Sequence, residues 1–199
     1  GVQTCALPIY NGIFVENFLT DEECDFAVKY VKEKDLWNYW LKSDDYWSGR
    51  VMFDAMLDEL TDEDSLKIRE LFNSVRRKIN SVIVERYGLD GDVYADGIGI
   101  VRWPIDHEQA PHADAAQNDG SSNGLDWRDF GTIIYLNDDF EGGETYYPEY
   151  NIFVKPKKGA LAIHPGGTDH LHGVSRVKGN VRYTIASFWS KSKDHWDGR

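Results

Sequence analysis

The sequence has little cysteine, no long apolar run and fewer basic than acidic residues. Its two cysteines, Cys5 and Cys24, give no disulfide framework, so we expect a reducing compartment and a cytoplasmic protein. No apolar stretch approaches the roughly 20 residues of a membrane-spanning helix, and we expect no membrane partner. Lys and Arg number 22 against 34 Asp and Glu, a net charge of -12. This balance argues against a nucleic-acid partner and leaves neutral or cationic partners.

The remaining composition is that of a globular chain. With 199 residues, 41% of them hydrophobic, the chain is long enough for one domain with a substantial core. We divide residues 1–199 into a leader at 1–9, a helical support region at 10–90 and a β-rich core at 91–190. The leader lacks the features of a signal peptide, and we expect it to be disordered or foreign to the native protein. The oligomeric state is not indicated by the sequence.

Two helices are predicted in the support region. Thr20 and Glu23 form a capping box, and helical spacing of apolar residues predicts a helix from about residue 21 to residue 33. Acidic residues at 61–64 open a second helix, its apolar stripe runs through residues 68–83, and Gly88 ends it. An apolar stripe of this kind indicates core packing rather than chemistry.

Short apolar runs separated by Gly, Pro, Asn and Asp fill the rest of the chain. They lie at residues 93–103, 130–136, 144–147, 152–154, 160–164, 173–177 and 181–189, with a short strand or lead-in earlier at 11–19. Many short strands without intervening helices predict an antiparallel sandwich or barrel. The predicted fold class is therefore mainly β with two supporting N-terminal helices, an α+β arrangement.

Two irregular segments could border a site. Residues 36–50 are rich in Trp and Tyr, and they form either a loop over the core edge or one wall of a substrate groove. Residues 115–129 make a long polar loop, a form often used for lids. A lid beside a site and an irregular excursion are both compatible with that loop.

The chemistry-bearing motif is His112-Ala113-Asp114. In an extended segment, residues i and i+2 point to one face about 6.6 Å apart, so the imidazole and the carboxylate could share a cation. They would supply two ligands of a 2-His-1-carboxylate site, although the tripeptide alone is also compatible with a surface loop. A third ligand could come from one of four downstream histidines. These are His164, His170, His172 and His195.

Ten residues after His172 comes Arg182, in a second predicted strand. A strand, a turn at 178–180 and a returning strand would bring Arg182 deep beside the metal. A buried guanidinium needs an anion and binds a carboxylate in bidentate fashion.

The segments at 112–114, 132–138, 140–145, 156–161, 172–174 and 179–183, in that order, resemble the iron(II)- and 2-oxoglutarate-dependent dioxygenases, in particular the prolyl 4-hydroxylase-like branch. The resemblance implies a double-stranded β-helix, or jelly roll. It implies His112, Asp114 and His172 as catalytic iron ligands, with His170 as the second choice for the last. His107, His164 and His195 are then surface or core residues.

The resemblance also implies the co-substrates. Arg182 would hold the distal carboxylate of 2-oxoglutarate, with Tyr135 and Thr184 assisting, and iron(II) and O2 would be required, with ascorbate as a reductant. Glycines 142 and 143 would serve a structural turn. Asp114 occupies the position that related halogenases leave open, which favours hydroxylation.

The implied reaction is hydroxylation of a prolyl residue in a peptide or protein, coupled to decarboxylation of 2-oxoglutarate to succinate. Substrate contacts would come from Trp103, Trp47, Arg50, Phe188 and Trp189. The chain departs from the pattern in two places. Trp103 stands where many relatives carry Tyr, and Arg182 stands where relatives that bind collagen-like peptides carry Lys.

Other functions remain open at this stage. The same oxygenase chemistry could act on a free amino acid, another peptidyl side chain or a small metabolite. A jelly roll that binds metal without turnover is a further alternative. A zinc hydrolase would have no need for Arg182 and Tyr135 as a second anion site.

Overall fold

The computed structural model describes residues 4–7, 11–39 and 45–199. Helix α1 (Asp21–Lys34) starts at the predicted capping box, in which the Glu23 amide donates to Thr20 Oγ1 at 3.1 Å. Helix α2 (Glu63–Tyr87) is capped by Asp62 and ends at Gly88, whose φ of 63° is left-handed. Both predicted helices are confirmed, with ends displaced by one or two residues.

Eleven strands accompany the helices within the described residues. They are β1 (Thr4–Leu7), β2 (Gly12–Val15), β3 (Val51–Phe53), β4 (Tyr94–Trp103), β5 (Gln109–His112), β6 (Phe130–Tyr135), β7 (Thr145–Tyr147), β8 (Ile152–Val154), β9 (Leu161–Pro165), β10 (His172–Val174) and β11 (Arg182–Ser190). The larger sheet has the order β1-β2-β9-β6-β11-β4-β3, and the smaller has the order β5-β10-β7-β8. Neighbouring strands are antiparallel. The predicted jelly roll with two supporting helices is confirmed.

The two faces of the larger sheet have different surroundings. Apolar residues of α1 and α2 pack with Ile185 and Trp189 of β11 in the main core. Alternate β11 residues, including Arg182, Thr184 and Phe188, line a cavity on the opposite face. The period of two along a strand therefore separates the helix-supported core from the candidate site.

Some local predictions differ from the structure. The leader was expected to be disordered or foreign to the native protein; within it, β1 pairs with β2 from Thr4 opposite Val15 to Leu7 opposite Gly12. Strands β3 and β5 fall outside the apolar runs because both are short, and β5 reads Gln-Ala-Pro-His. Residues 40–44 of the aromatic segment lie outside the described residues. Among those described, the structure contains no helix with the length and apolarity that crossing a bilayer requires.

Candidate metal centre and co-substrate cavity

Backbone pairing brings the predicted ligands together. Strands β5 and β10 place His112 opposite His172, and Asp114 follows β5 by two residues. The Nε2 atoms of both histidines lie 3.7 Å from Asp114 Oδ1, and the three ligand atoms are within 4.8 Å of one another. Two imidazole nitrogens and one carboxylate oxygen could therefore hold one metal ion, and this donor set suits ferrous iron.

Backbone carbonyls orient both imidazoles for that role. His172 Nδ1 lies 3.0 Å from the His170 carbonyl, and His112 Nδ1 lies 3.3 Å from the Ala110 carbonyl. Because a carbonyl only accepts hydrogen bonds, each Nδ1 carries the proton and each Nε2 lone pair remains available for a metal. Burial, with the nearby His164 imidazole, lowers the pKa of His172 to about 4. Burial and then His172 lower the pKa of His112.

The Asp114 carboxylate is hydrogen-bonded on the side away from His112 and His172. Asp114 is 5% exposed, and its Oδ2 atom is 3.1 Å from Nε2 of the buried His164. Burial alone would raise the pKa of Asp114, but the imidazole of His172 and the contacts from His164 outweigh it and lower the pKa. Asp114 is therefore ionised at neutral pH, as a metal-binding carboxylate must be.

Arg182 supplies the buried cation. It is 1% exposed, and its Nε and Nη2 atoms have no hydrogen-bond partner among the described residues. The guanidinium carbon lies 5.1 Å from the centre of the Trp103 ring and 5.3 Å from that of Tyr135. Burial lowers its pKa, against a raising influence of Tyr135. A buried cation with two unsatisfied donor nitrogens is costly, so this environment fits an anionic co-substrate such as 2-oxoglutarate.

A cavity of about 80 Å³ joins the cation to the ligand cluster. Its lining includes Arg182 and Thr184 of β11, and it also includes the ligand cluster of His112, Asp114 and His172. Tyr135, which pairs with Thr184 across the strands, is not one of the lining residues. Its hydroxyl instead lies 2.9 Å from Thr145 Oγ1, so the structure places Tyr135 against Arg182 rather than on the cavity surface.

The predicted glycine turn supports Arg182 directly. Gly142 and Gly143 have φ values of 68° and 66°, which residues with a Cβ atom rarely adopt. A Cβ atom on Gly143 would also lie 2.9 Å from Arg182 Cδ. The turn therefore leaves space for the stem of the buried cation.

One family model matches part of the chain. Residues 99–190, somewhat less than half of the 199 residues, match the model of the 2OG-Fe(II) oxygenase superfamily. Proteins of this superfamily use iron(II), 2-oxoglutarate and O2. The His112–Asp114–His172 cluster and the two unpartnered nitrogens of Arg182 fit the first two on their own chemistry.

Two sets of relatives add detail. Human prolyl 3-hydroxylase 2 is 24% identical over 72% of this chain and 23% of its own length. Rat prolyl 3-hydroxylase 1 is 26% identical over 65% of this chain and 21% of its own length. The chain thus spans less than a quarter of these curated relatives.

Solved structures agree in fold. The viral collagen prolyl hydroxylase from Paramecium Bursaria Chlorella virus-1, in its 2OG complex, has a TM-score of 0.66 at 16% identity, covering 92% of this chain and 96% of that chain. A Pseudomonas putida prolyl-4-hydroxylase has a TM-score of 0.61 at 14% identity, covering 94% and 95%. At this identity the likeness shows a shared fold.

A larger groove lies outside the small cavity. Its volume is about 510 Å³, and it shares with the small cavity the lining residues Trp47, His112, Asp114 and Phe188 among others. Trp103 lines the small cavity and not the groove. A molecule in the groove would therefore contact the metal ligands without entering the Arg182 end.

Two predicted substrate contacts lie elsewhere. Trp189 is 2% exposed in the main core, where its indole N–H donates to Ser187 Oγ at 2.9 Å. It faces away from the groove because neighbouring residues of a strand point to opposite faces. Arg50 is also absent from the lining residues. Its guanidinium lies 4.0 Å from the Tyr46 ring centre and is hydrogen-bonded to His107.

The groove contains residues that the sequence did not single out. Arg128 donates to Asp96 Oδ2 at 2.8 Å, and its guanidinium carbon lies 3.7 Å from the centre of the Phe188 ring. Gln109 also borders both spaces. The sequence signal for Asp96 and Arg128 was their position: Asp96 lies in a predicted strand, and Arg128 lies next to the last residue of the long polar loop.

The irregular segments border the groove on two sides. Asn38, Asp45 and Trp47 contribute from the aromatic segment. Asn123 contributes from the polar loop and donates its side-chain amide to the Asp114 carbonyl at 3.2 Å. Both segments therefore form walls of the groove, and lid motion stays a prediction.

The remaining histidines stand outside the ligand cluster. His170 contributes its backbone carbonyl to His172, and its ring lies 5.9 Å from that of Tyr150. His195 stacks on Trp127 with ring centres 4.3 Å apart. Within the described residues, the group suited to a metal comprises His112, Asp114 and His172.

Proposed function

We propose that this oxygenase hydroxylates a prolyl residue of a peptide or protein while converting 2-oxoglutarate to succinate and carbon dioxide. One observation carries the proposal. The small cavity contains Arg182, whose Nε and Nη2 atoms have no hydrogen-bond partner among the described residues, and it shares its His112–Asp114 border with a groove of about 510 Å³. This arrangement gives separate places for a small dicarboxylate and a larger second substrate.

His112, Asp114 and His172 would hold the iron(II). When bound, the metal would supply the activation of O2 that couples loss of carbon dioxide from 2-oxoglutarate to oxidation of a C–H bond. The protein would bind, orient and shield the reactants. The two Nδ1–H bonds to backbone carbonyls keep the imidazole lone pairs directed inward.

Arg182 would bind the distal carboxylate of 2-oxoglutarate. Its Nε and Nη2 are adjacent donors on one planar group, which suits bidentate contact with a carboxylate. Thr184 lies two residues along the same strand face and borders the same cavity, so its hydroxyl can assist. Bound carboxylate would remove the cost of the unpaired buried charge.

The groove suits a neutral, ring-containing peptide residue. Trp47 and Phe188 offer aromatic surface beside the ligand cluster, on which a proline ring can pack. The Asp96–Arg128 ion pair adds polar groups beside Phe188 that can meet a peptide backbone. The net charge of -12 disfavours acidic peptides, and relatives carry the names prolyl 3-hydroxylase and prolyl-4-hydroxylase.

The proposal predicts succinate formation stimulated by a proline-rich peptide in the presence of iron(II), 2-oxoglutarate, O2 and ascorbate. Mass spectrometry and NMR of the peptide would give the site of oxidation. The resemblance to prolyl 4-hydroxylases implies C4, whereas the curated relatives are named as prolyl 3-hydroxylases. Both products are therefore quantified.

Matched variants locate the peptide site. Phe188→Ala should weaken peptide stimulation, whereas Phe153→Ala, at a side chain 61% exposed and outside the groove, should leave it unchanged. Stimulation by free amino acids or small metabolites alone would contradict peptide hydroxylation and retain the oxygenase chemistry. Metal binding without any consumption of 2-oxoglutarate would contradict both.

A further inference from the structure

His164 is a buried polar residue in an apolar strand. It lies on β9 and is 1% exposed, between Ile163 and the end of the strand. Its ring centre is 4.0 Å from that of His172, yet the ligand-forming group in the described residues does not include it. The side chain instead bonds to Asp114 and Tyr147.

The hydrogen-bond partners place a proton on His164 Nε2. Asp114 is an ionised carboxylate and only accepts, so His164 Nε2 donates to Asp114 Oδ2 at 3.1 Å. His164 Nδ1 is hydrogen-bonded to the Tyr147 hydroxyl at 2.8 Å. A series of hydrogen bonds therefore links Tyr147, the His164 imidazole and the carboxylate of Asp114.

The hydrogen bond from His164 gives the two carboxylate oxygens of Asp114 different roles. Oδ2 is engaged by His164, while Oδ1 lies 3.7 Å from each ligand-histidine Nε2 atom. Only Oδ1 is therefore directed into the ligand cluster. Rotation of the carboxylate to offer both oxygens would break the bond to His164 and leave a buried N–H unsatisfied.

Gly131 on β6 makes room for this arrangement. A Cβ atom at this position would lie 2.3 Å from Asp114 Oδ2 and 2.5 Å from His164 Nε2. The φ angle of Gly131 is not in the left-handed region, so space rather than backbone freedom is what its missing side chain provides. The buried histidine and the neighbouring glycine thus form one complementary unit.

We propose that His164, supported by Tyr147, is a positioning residue that presents Asp114 to the metal through Oδ1 alone. The inference rests on the metal site of the proposed function and is independent of the identity of the second substrate. Partners of this kind that hold metal ligands commonly account for 10- to 100-fold in metal affinity. A residue that only filled core volume would have no such effect.

The test is a calorimetric titration of the full chain with iron(II) alone, in the absence of oxygen. His164→Phe should weaken iron(II) binding by about 10- to 100-fold. His164→Gln should recover at least part of that loss, because its side-chain amide can donate to Asp114. Melting of each metal-free variant is measured alongside, so that a general loss of structure is recognised.

Two results would overturn the inference. One is iron(II) binding by His164→Phe within twofold of the wild type. The other is an equal loss in His164→Phe and His164→Gln, which would indicate a packing role. If His164→Phe does not fold, Tyr147→Phe removes one hydroxyl from the chain and should weaken iron(II) binding by about threefold or more, and no change would contradict the proposal.

The outcome is separable from that of the proposed function. A wild type that binds iron(II) without hydroxylating proline contradicts the substrate assignment, while the variant titrations still decide the role of His164. A wild type that does not bind iron(II) contradicts both.

Discussion

Replacing Arg182 by Met should have opposite effects on co-substrate binding and on the stability of the metal-free protein. Arg182 is 1% exposed, and its Nε and Nη2 atoms have no partner in the described part of the chain. Two charge-assisted hydrogen bonds to a buried carboxylate are together worth about 3 to 5 kcal/mol. Their loss should raise the dissociation constant of 2-oxoglutarate by roughly 150- to 5,000-fold.

The same substitution removes an unsatisfied buried cation from the metal-free protein. Methionine is a flexible apolar residue that can fill much of the vacated space. Because an unsatisfied buried group costs about 1 to 3 kcal/mol, Arg182→Met should leave the free energy of unfolding unchanged or raise it by that amount.

Two measurements test these opposite effects. Calorimetry would follow 2-oxoglutarate binding to iron(II)-loaded protein without oxygen, and urea unfolding would follow the metal-free protein. Arg77→Met is a matched control, because Arg77 is exposed and its ion pair with Glu70 lies on the surface; neither measurement should change. Binding by Arg182→Met within threefold of the wild type would refute the reasoning, as would equal losses in the control.

Three further predictions concern the groove, the ligands and the core. Phe53→Ala should raise KM for a peptide substrate severalfold while leaving 2-oxoglutarate affinity within twofold, because Phe53 lines the groove and not the small cavity that contains Arg182; steady-state kinetics with each substrate varied would show whether the two constants separate. The metal-free protein should lose up to about 3 kcal/mol of stability through His172 as pH falls from 6.5 to 4, because the pKa of His172 is lowered to about 4 in the folded protein and the unfolded chain takes up the proton first. Urea unfolding across this range should give a smaller slope of the free energy of unfolding against pH in His172→Gln, and equal slopes would count against the lowered pKa. Burial raises the pKa of Cys24 to about 12, so its thiol should resist iodoacetamide at pH 8 until urea unfolds the chain, as followed by peptide mass spectrometry; rapid labelling in the folded protein would disagree.

The sequence was most informative where a spacing has a geometric meaning. The i, i+2 separation of His112 and Asp114 fixes a shared side in an extended segment, and the structure brings their ligand atoms together with that of His172. Arg182 was predicted to be buried near them because a strand and a short turn connect it to His172. These inferences needed only strand periodicity and the chemistry of a buried cation.

Side-chain direction on adjacent strand residues was harder to assign. Phe188 and Trp189 follow one another on β11, but Phe188 borders the groove and Trp189 packs in the main core. The pairing of β11 with β4 is also irregular between Ser187 and Trp189. The resemblance to the family implied both aromatics as substrate contacts, whereas alternation along the strand allows only one.

Contacts between distant strands were outside the reach of the sequence pattern. His164 was expected to be a surface residue or a satisfied core residue, and it is buried with both ring nitrogens bonded. Its relation to Asp114 depends on Gly131, which lies on a different strand and leaves the required space. Asp96 and Arg128 likewise meet only after β4 and the end of the polar loop are brought together.

The most direct test of the account is whether iron(II) and 2-oxoglutarate assemble at this site. Both would be added to metal-free protein without oxygen, and the visible charge-transfer absorption of the chelated complex would be recorded for the wild type, His172→Ala and Arg182→Met. The account predicts a band in the wild type, no band in His172→Ala and a band in Arg182→Met only at much higher 2-oxoglutarate concentration. Absence of the band in folded wild-type protein would contradict the assignment of His112, Asp114, His172 and Arg182 as one oxygenase site.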